Sequence, residues 1–319
     1  MPPTRSSRAA LPAAASLLTA PVVHGRPVRA VVLAAYPFGL YLDVAGAVLP
    51  VVTSDAVPLP SALLLAEPSG RVGWGVEPGA TVPVGEGRVG LPGLDLVATR
   101  VWRPARVRRS RAAASSPRVA PYLALQPTTA DRGSRARVGE DRRWLADGIR
   151  YAVCAPDPEP HVRGLLGRGD GLTPSGDDAL AGALLVAHAL GVGDALAAVV
   201  RRRLGATTAV SAALLSAAAD GFAARPVVTL VDAAVAGDDL GVREALPAVL
   251  SIGHSSGADL VVGVRTALEV RGCTAAIPSL LAVPPGGEHP ASAGSTIGHT
   301  AAVTFGHTAP STPTGRSAA

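Results

Sequence analysis

The chain has 319 residues and a formal net charge of +5, because 29 Lys and Arg residues outnumber 24 Asp and Glu residues. All 29 cations are arginine, so the absence of lysine excludes Schiff-base chemistry, a lysine-anchored pyridoxal cofactor and a lysine-containing phosphate loop. Aromatic residues make up only 3% of the chain, which disfavours the stacking platforms that bind single-stranded nucleic acid.

Residues 1–20 are predicted to be a disordered N-terminus. Arg5 and Arg8 precede an Ala-rich run that faintly imitates a signal peptide, but Pro12 and Ser16 interrupt that run. No apolar run elsewhere is long and uninterrupted enough to predict a membrane span. The sequence therefore favours a protein that contacts no membrane.

The two cysteines carry little functional signal. Cys154 and Cys273 form no Cys-x-x-Cys pair, so they indicate neither a metal site nor a disulfide framework. We expect a cytoplasmic protein without a metal or cofactor.

Residues 21–102 are predicted to form a β-rich domain, either a sheet or a small barrel. Short apolar runs rich in β-branched residues, separated by Gly and Pro, are typical of strands that pair in an antiparallel arrangement. The candidate strands are VRAVVLAAY, GLYLDV, GAVLPVV, SALLLA, TVPV and LDLVATRVW.

Residues 103–138 are predicted to be an Arg-rich linker. Thirteen arginines and four acidic residues lie between Arg100 and Arg150, so the excess positive charge of the chain is concentrated there. A solvated linker is the favoured interpretation, and a surface for an anionic partner is the alternative. Binding of nucleic acid is not expected, and it would show an affinity that falls steeply with salt.

From residue 139 onward the apolar residues follow helical spacing, and residues 139–283 are predicted to form an α-helical domain. Residues 284–319 are a low-complexity tail, predicted to be disordered, whose three histidines are not expected to be catalytic. The predicted fold class is α+β, with a β-rich N-terminal domain before a mostly helical domain. The candidate helices lie near 139–153, 177–190, 193–204, 207–222, 227–236, 239–250 and 258–271.

The segment GRGDGLTPSGDDALAG, residues 167–182, carries the main candidate site. Its glycines allow close approach of a ligand to the backbone, and Thr173 or Ser175 is expected to cap the following helix. A glycine-rich turn that enters a helix N-terminus is suited to anions, and Asp177 and Asp178 would lie in the first helical turn. The alternative is an ordinary S-x-x-D capping box formed by Ser175 and Asp178.

A second segment, GHSSGADLVVG at residues 253–263, repeats the pattern S-G-x-D-x-x-x-G. We predict that both segments begin helices, that their glycines allow close helix packing, and that the two helix N-termini face one cleft. His254 precedes the second helix in a glycine-flanked turn and is the predicted acid/base residue, with a surface or capping role as the alternative.

Thr207, Thr208 and Ser211 form a third polar cluster at the start of a predicted helix. Contact with a ligand and simple capping by Thr207 remain equal alternatives. Ser255 also fits the G-x-S-x-G pattern of a hydrolase nucleophile, but the acid and histidine that should follow it are poorly placed. A serine hydrolase is therefore the least favoured interpretation.

The GLTPSGDD core, the TTAVSAALLSAAADG segment and the GHSSG segment, in this order, resemble the AllH family over roughly residues 20–283. The resemblance implies a subunit of oxamate carbamoyltransferase, which works with AllF and AllG subunits in purine and allantoin degradation. It implies carbamoyl phosphate and oxamate as small anionic substrates, with oxalurate as the product of transfer.

Carbamoyl transfer needs an anion site, donors for an oxyanion and a base for the attacking nitrogen. We predict His254, Asp177 and Asp178 as the catalytic residues. A non-catalytic anion-binding or scaffold subunit remains the alternative. The predicted anion-binding residues are Arg168, Gly169, Gly171, Thr173, Ser175, Gly176, Thr207, Thr208, Ser211, Ser255, Ser256 and Gly257.

Overall fold

The structure, a computed structural model, describes residues 9–109, Leu123 and residues 142–274. An eight-stranded β-barrel at residues 9–102 precedes a helical region at residues 143–270, which confirms the predicted α+β class. The predicted tail at 284–319 and most of the predicted linker lie outside the described residues.

The barrel is closed, with the strand order β1-β5-β4-β3-β2-β6-β7-β8. Neighbouring strands are antiparallel except for the β1–β8 and β4–β5 pairs, which are parallel. Side chains alternate across each strand, so small and branched residues such as Val32, Leu40 and Leu42 fill the interior. The strands are β1 Ala9–Ser16, β2 Val28–Tyr36, β3 Gly39–Val44, β4 Ala47–Val52, β5 Leu63–Leu65, β6 Thr81–Gly85, β7 Arg88–Leu91 and β8 Leu94–Trp102.

The expectation of a disordered N-terminus is wrong for residues 9–16, because these residues form β1. This strand pairs with β5 on one side and with β8 on the other, and it thereby closes the barrel. Ala13 and Ala15 point inward and are almost fully buried. Alanine is too weakly apolar to mark a strand in the sequence, but its small side chain fits the crowded interior of a small barrel.

The helices of the described residues match the predicted ones closely, except at residues 20–23 and 159–165, where no helix was predicted. A helix over residues 159–165 was not predicted, because Pro156, Pro158 and Pro160 in its neighbourhood indicate a loop. None of the described helices is both long and apolar enough to cross a membrane. The helices are α1 Ala20–Val23, which lies beside the barrel, α2 Arg143–Cys154, α3 Glu159–Leu165, α4 Ser175–Leu190, α5 Asp194–Arg203, α6 Ala209–Ala219, α7 Arg225–Ala236, α8 Asp239–Leu250 and α9 Ser256–Thr274.

The beginning of the predicted linker packs onto the helical region. Val107 is buried, and its N–H group donates to the carbonyl oxygen of Gly221 over 2.9 Å. Arg106 stacks its guanidinium group on the ring of Phe222, with 5.0 Å between the guanidinium carbon and the ring centroid. Residues 106 and 107 are therefore held in place by the helical region, unlike the solvated linker that was expected.

Helices α4 and α9 form the centre of the helical region. All residues of α4 after Ser175 are buried. Gly182 of α4 lies against the backbone of Leu260, and Gly263 of α9 lies against the backbone of Ala179. These two contacts are reciprocal: Gly263 lies 81 positions after Gly182, and Leu260 lies 81 positions after Ala179. The repeated S-G-x-D-x-x-x-G pattern therefore encodes a close crossing of two helices, as predicted.

Candidate functional site

A cavity of about 430 Å³ lies between the barrel and the helical region. The barrel contributes apolar and aromatic residues near the β2–β3 turn, including Phe38 and Tyr41. The helical region contributes the first turns of α4 and α9 together with apolar residues of α6 and α7. A concave, mostly apolar cavity with a few convergent polar groups has the character of a small-molecule site.

The N-termini of α4 and α9 meet at this cavity, as the sequence predicts. The hydroxyl oxygens of Thr173 and Ser256 are 2.8 Å apart, and both residues line the cavity. The predicted cap differs in detail, since Pro174 occupies the position before α4 and no side chain caps this helix. The two hydroxyl groups are thus free of a capping role at α4 and lie beside the cavity.

Gly176 and Gly257 occupy equivalent positions in the two helix starts. A Cβ atom on Gly176 would overlap the carbonyl oxygen of Leu165, and one on Gly257 would overlap that of Val249. Their N–H groups donate to the carbonyl oxygens of Arg168 and Ile252 over 2.9 and 3.0 Å. Both glycines therefore serve close packing, and an anion would have to compete with these carbonyl groups for the two donors.

Asp178 is the charged side chain at the polar end of the cavity. The residue is 8% exposed, and its Oδ2 atom is buried without a hydrogen-bond partner in the described structure. Burial raises the pKa of this carboxyl group to about 7, and the charge of Asp259 adds to the shift, whereas hydrogen bonding with Ser256 and Thr173 opposes it. A carboxyl group with a pKa near 7 can accept or donate a proton at physiological pH.

Asp177 has a different environment, although it is the next residue. Its Oδ1 atom accepts the N–H group of Gly167 over 2.8 Å, and its Oδ2 atom accepts the hydroxyl groups of Thr207 and Ser211. The carboxylate therefore ties the glycine-rich turn and the start of α6 to the start of α4. Thr207 and Ser211, predicted to bind an anion, are donors to this carboxylate, while Thr208 rather than Thr207 caps α6.

We expect Asp177→Ala to lower the free energy of unfolding by about 3 kcal/mol or more, because three donors of low exposure lose their acceptor at once. Urea denaturation of the full-length chain measures this loss. Ser211→Ala removes only one of the three donors and should cost about 1 kcal/mol. Equal stability of the Asp177→Ala variant and the parent chain would contradict this structural role.

A third carboxylate, Asp259 in α9, is the sequence counterpart of Asp178. It is 1% exposed, and its Oδ1 atom accepts the Nε–H group of Arg142 over 2.6 Å. Its Oδ2 atom is buried without a partner in the described structure. Arg142 could not be predicted as a site residue, because an arginine in an Arg-rich stretch carries no distinguishing signal.

The remaining predicted residues lie at the surface of the site or outside it. Arg168 is exposed and stacks on the ring of Trp144, with 4.2 Å between the guanidinium carbon and the ring centroid. His254 is exposed and does not belong to the residues that line the cavity. Ser175 and Ser255 are half-buried, and the exposed Gly169 and Gly171 adopt positive φ angles. The structure thus places Asp178, Thr173, Ser256 and Gly257 on one cavity, whereas His254 does not line it.

The serine-hydrolase alternative loses its structural basis. A G-x-S-x-G nucleophile lies on a tight turn between a strand and a helix. The GHSSG turn instead joins helix α8 to helix α9. Ser255 therefore lacks the strand that would present it as a nucleophile.

The cavity-lining turns lie within a segment that a known family shares. Residues 165–268 match the model of the AllH family, which is described as oxamate carbamoyltransferase subunit AllH. This segment contains both the GLTPSGDD and the GHSSG turns, so the match confirms the resemblance over these residues. The family name indicates a subunit of oxamate carbamoyltransferase. No solved structure matches the chain.

Proposed function

We propose that the chain is a subunit of an oxamate carbamoyltransferase-like complex, in which Asp178 transfers the proton that accompanies carbamoyl transfer. The observation that carries this proposal is the buried carboxyl group of Asp178, which lines the cavity at the meeting point of two helix N-termini. The family match over residues 165–268 supports the reaction class.

The proposed reaction joins carbamoyl phosphate and oxamate to form oxalurate and phosphate. The amide nitrogen of oxamate attacks the carbamoyl carbon, a C–N bond forms, and the C–O bond to phosphate breaks. The attacking nitrogen gives its proton to the Asp178 carboxylate. The hydroxyl groups of Thr173 and Ser256 lie beside this carboxyl group, and once Asp178 has taken the proton, the hydroxyl that donated to it can turn to the oxyanion of the tetrahedral intermediate.

The composition of the cavity supports a shared active site with other subunits. Among the described residues that line the cavity, none is an arginine or a histidine. Cationic side chains of other subunits are therefore needed to neutralise the two negative charges of carbamoyl phosphate. AllF-like and AllG-like partners are the proposed source of these side chains. The proposed setting is purine and allantoin catabolism in the cytoplasm.

A second candidate function is a non-catalytic anion-binding or scaffold subunit. The hydrogen bonds of Asp177 and the packing roles of Gly176 and Gly257 favour it, because they give these motif residues structural tasks. The carboxyl group of Asp178 lines the cavity, and its Oδ2 atom has no hydrogen-bond partner in the described structure, which favours the catalytic proposal.

Reconstitution of the complex from purified subunits tests the proposal. We expect oxalurate formation from carbamoyl phosphate and oxamate only when this chain is present together with its two partner subunits. Equal activity of the two partners without this chain would contradict a catalytic role. A complex that assembles but transfers no carbamoyl group would favour the scaffold alternative.

A further inference from the structure

The cavity is larger and more apolar than the substrates of the proposed reaction require. Volumes of 300 Å³ and above are typical of pockets for drug-sized ligands. The cavity measures about 430 Å³, and its walls include Phe38, Leu185, Leu214 and Leu260. Oxamate has no apolar group that could pack against these walls.

The charges at the cavity are also negative. Asp178 is the one charged side chain among the described residues that line it. Asp177 and Asp259 lie close enough to raise the pKa of Asp178, and Arg142 pairs with Asp259 on the helix side. An ammonium group is attracted by this arrangement.

The hydrogen-bonding capacity of the site favours a ligand that donates. The Oδ2 atom of Asp178 is buried without a partner in the described structure, and a buried acceptor without a donor costs free energy. The Asp178 side chain lines the cavity, so an N–H group of a ligand there is placed to donate to its carboxyl group.

From these observations we propose that the site accepts primary amines with an apolar substituent as a further class of carbamoyl acceptor. The amine is held at Asp178, its substituent lies against the apolar walls, and its product is a monosubstituted urea. This proposal rests on the carbamoyl transfer proposed above and extends its range of acceptors.

The step balances without a further reactant. The ammonium group gives one proton to the Asp178 carboxylate, and the nitrogen lone pair forms a bond to the carbamoyl carbon. The C–O bond breaks, and phosphate leaves with its electron pair and takes the second proton from nitrogen. Asp178 then returns its proton to water.

Titration of the full-length chain with hexylammonium tests the binding step, with hexanoate as a probe of the same length and opposite charge. We expect hexylammonium to bind and to raise the melting temperature of the chain, and hexanoate to do neither. Asp178→Asn should weaken hexylammonium binding at least about tenfold. Val57→Trp, which fills the cavity from its loop wall, should weaken binding without removing the charge.

The outcomes separate this proposal from the reaction itself. Absence of hexylammonium binding, binding that neither substitution weakens, or equal binding of hexanoate would overturn the acceptor class. Oxalurate formation by the reconstituted complex would still stand in each of these cases. If hexylammonium binds at Asp178, the complex must also form hexylurea from carbamoyl phosphate, and failure to form it while oxalurate is formed would overturn the proposal.

Discussion

Replacement of Asp178 by asparagine is expected to slow carbamoyl transfer by the reconstituted complex at least about 100-fold, because asparagine cannot accept the proton of the attacking nitrogen. Asparagine has nearly the same shape as aspartate and keeps a side-chain oxygen beside Thr173 and Ser256. Binding and assembly should therefore remain, and the loss should appear mainly in kcat. The rate of oxalurate formation at saturating substrate measures it.

The same substitution is expected to stabilise the chain above neutral pH. The pKa of Asp178 rises from its ordinary value of 3.8 to about 7 in the folded protein, so folding disfavours the ionised form. The penalty is absent below pH 3.8, grows as pH rises toward 7, and is complete above that pH. A difference of about three pKa units corresponds to about 4 kcal/mol, which Asp178→Asn should recover in part or in full at pH 8.

Asp170→Asn is the matched control, because Asp170 is exposed in the same glycine-rich turn. It should change neither the rate nor the free energy of unfolding by a measurable amount. A lower stability of Asp178→Asn at pH 8 would assign Asp178 to the structure rather than to the chemistry. Activity within threefold of the parent complex would contradict the role of this residue as a base.

Substitution of Gly263 by alanine is expected to lower the free energy of unfolding by about 3 kcal/mol or more. Alanine in the middle of a helix is usually more stable than glycine by about 1 kcal/mol, so the sign of the effect is diagnostic. A Cβ atom at Gly263 would overlap the carbonyl oxygen of Ala179, and backbone atoms of α4 cannot move away as a flexible side chain would. Gly182→Ala should behave alike, because its Cβ atom would overlap the carbonyl oxygen of Leu260.

Gly164→Ala provides the control for this prediction. Gly164 lies in the last turn of α3, and no atom is within 4 Å of the position that its Cβ atom would occupy. This substitution should leave the chain unchanged or slightly more stable. Urea denaturation of the three variants at one pH measures the difference, and equal stability of all three would contradict the close crossing of α4 and α9.

The order of strands and helices could be predicted because hydrophobic periodicity is a local property. Val28–Tyr36, Gly39–Val44 and Leu94–Trp102 alternate or run as β-branched segments, and the structure forms strands at these positions. The exceptions are β1, whose alanines are informative only in the context of the closed barrel, and the four-residue strand β7, which no candidate strand covers. Closure depends on pairing between residues about 85 positions apart, and a local pattern contains no record of such a pairing.

The motif residues could be predicted, but their roles could not. The glycines at positions 176, 182, 257 and 263 are needed because a backbone lies where a side chain would otherwise be. A sequence shows that glycine is present and does not show which backbone approaches it. The adjacent residues Asp177 and Asp178 likewise look equivalent in the sequence, yet helix geometry directs one toward the donors of α6 and the other toward the cavity.

The cavity itself was beyond prediction from the sequence. Its barrel wall, with Phe38 and Tyr41, lies more than 130 positions before Asp178 in the chain, and these residues read simply as part of predicted strands and turns. His254 is predicted as the base from its position in a glycine-flanked turn just before a helix. In the structure, burial raises the pKa of Asp178 to about 7, and His254 is exposed and does not line the cavity.

The pH dependence of kcat/KM for the complex, which reports ionisations of the enzyme without substrate, tests the central proposal most directly. A base must be ionised to accept a proton, so activity should rise with pH through a single ionisation near 7, the pKa of Asp178. The residual activity of the Asp178→Asn complex should lack this ionisation. A rate that is independent of pH between 6 and 8 in the parent complex, or an unchanged ionisation in the variant, would contradict the assignment of Asp178 as the base.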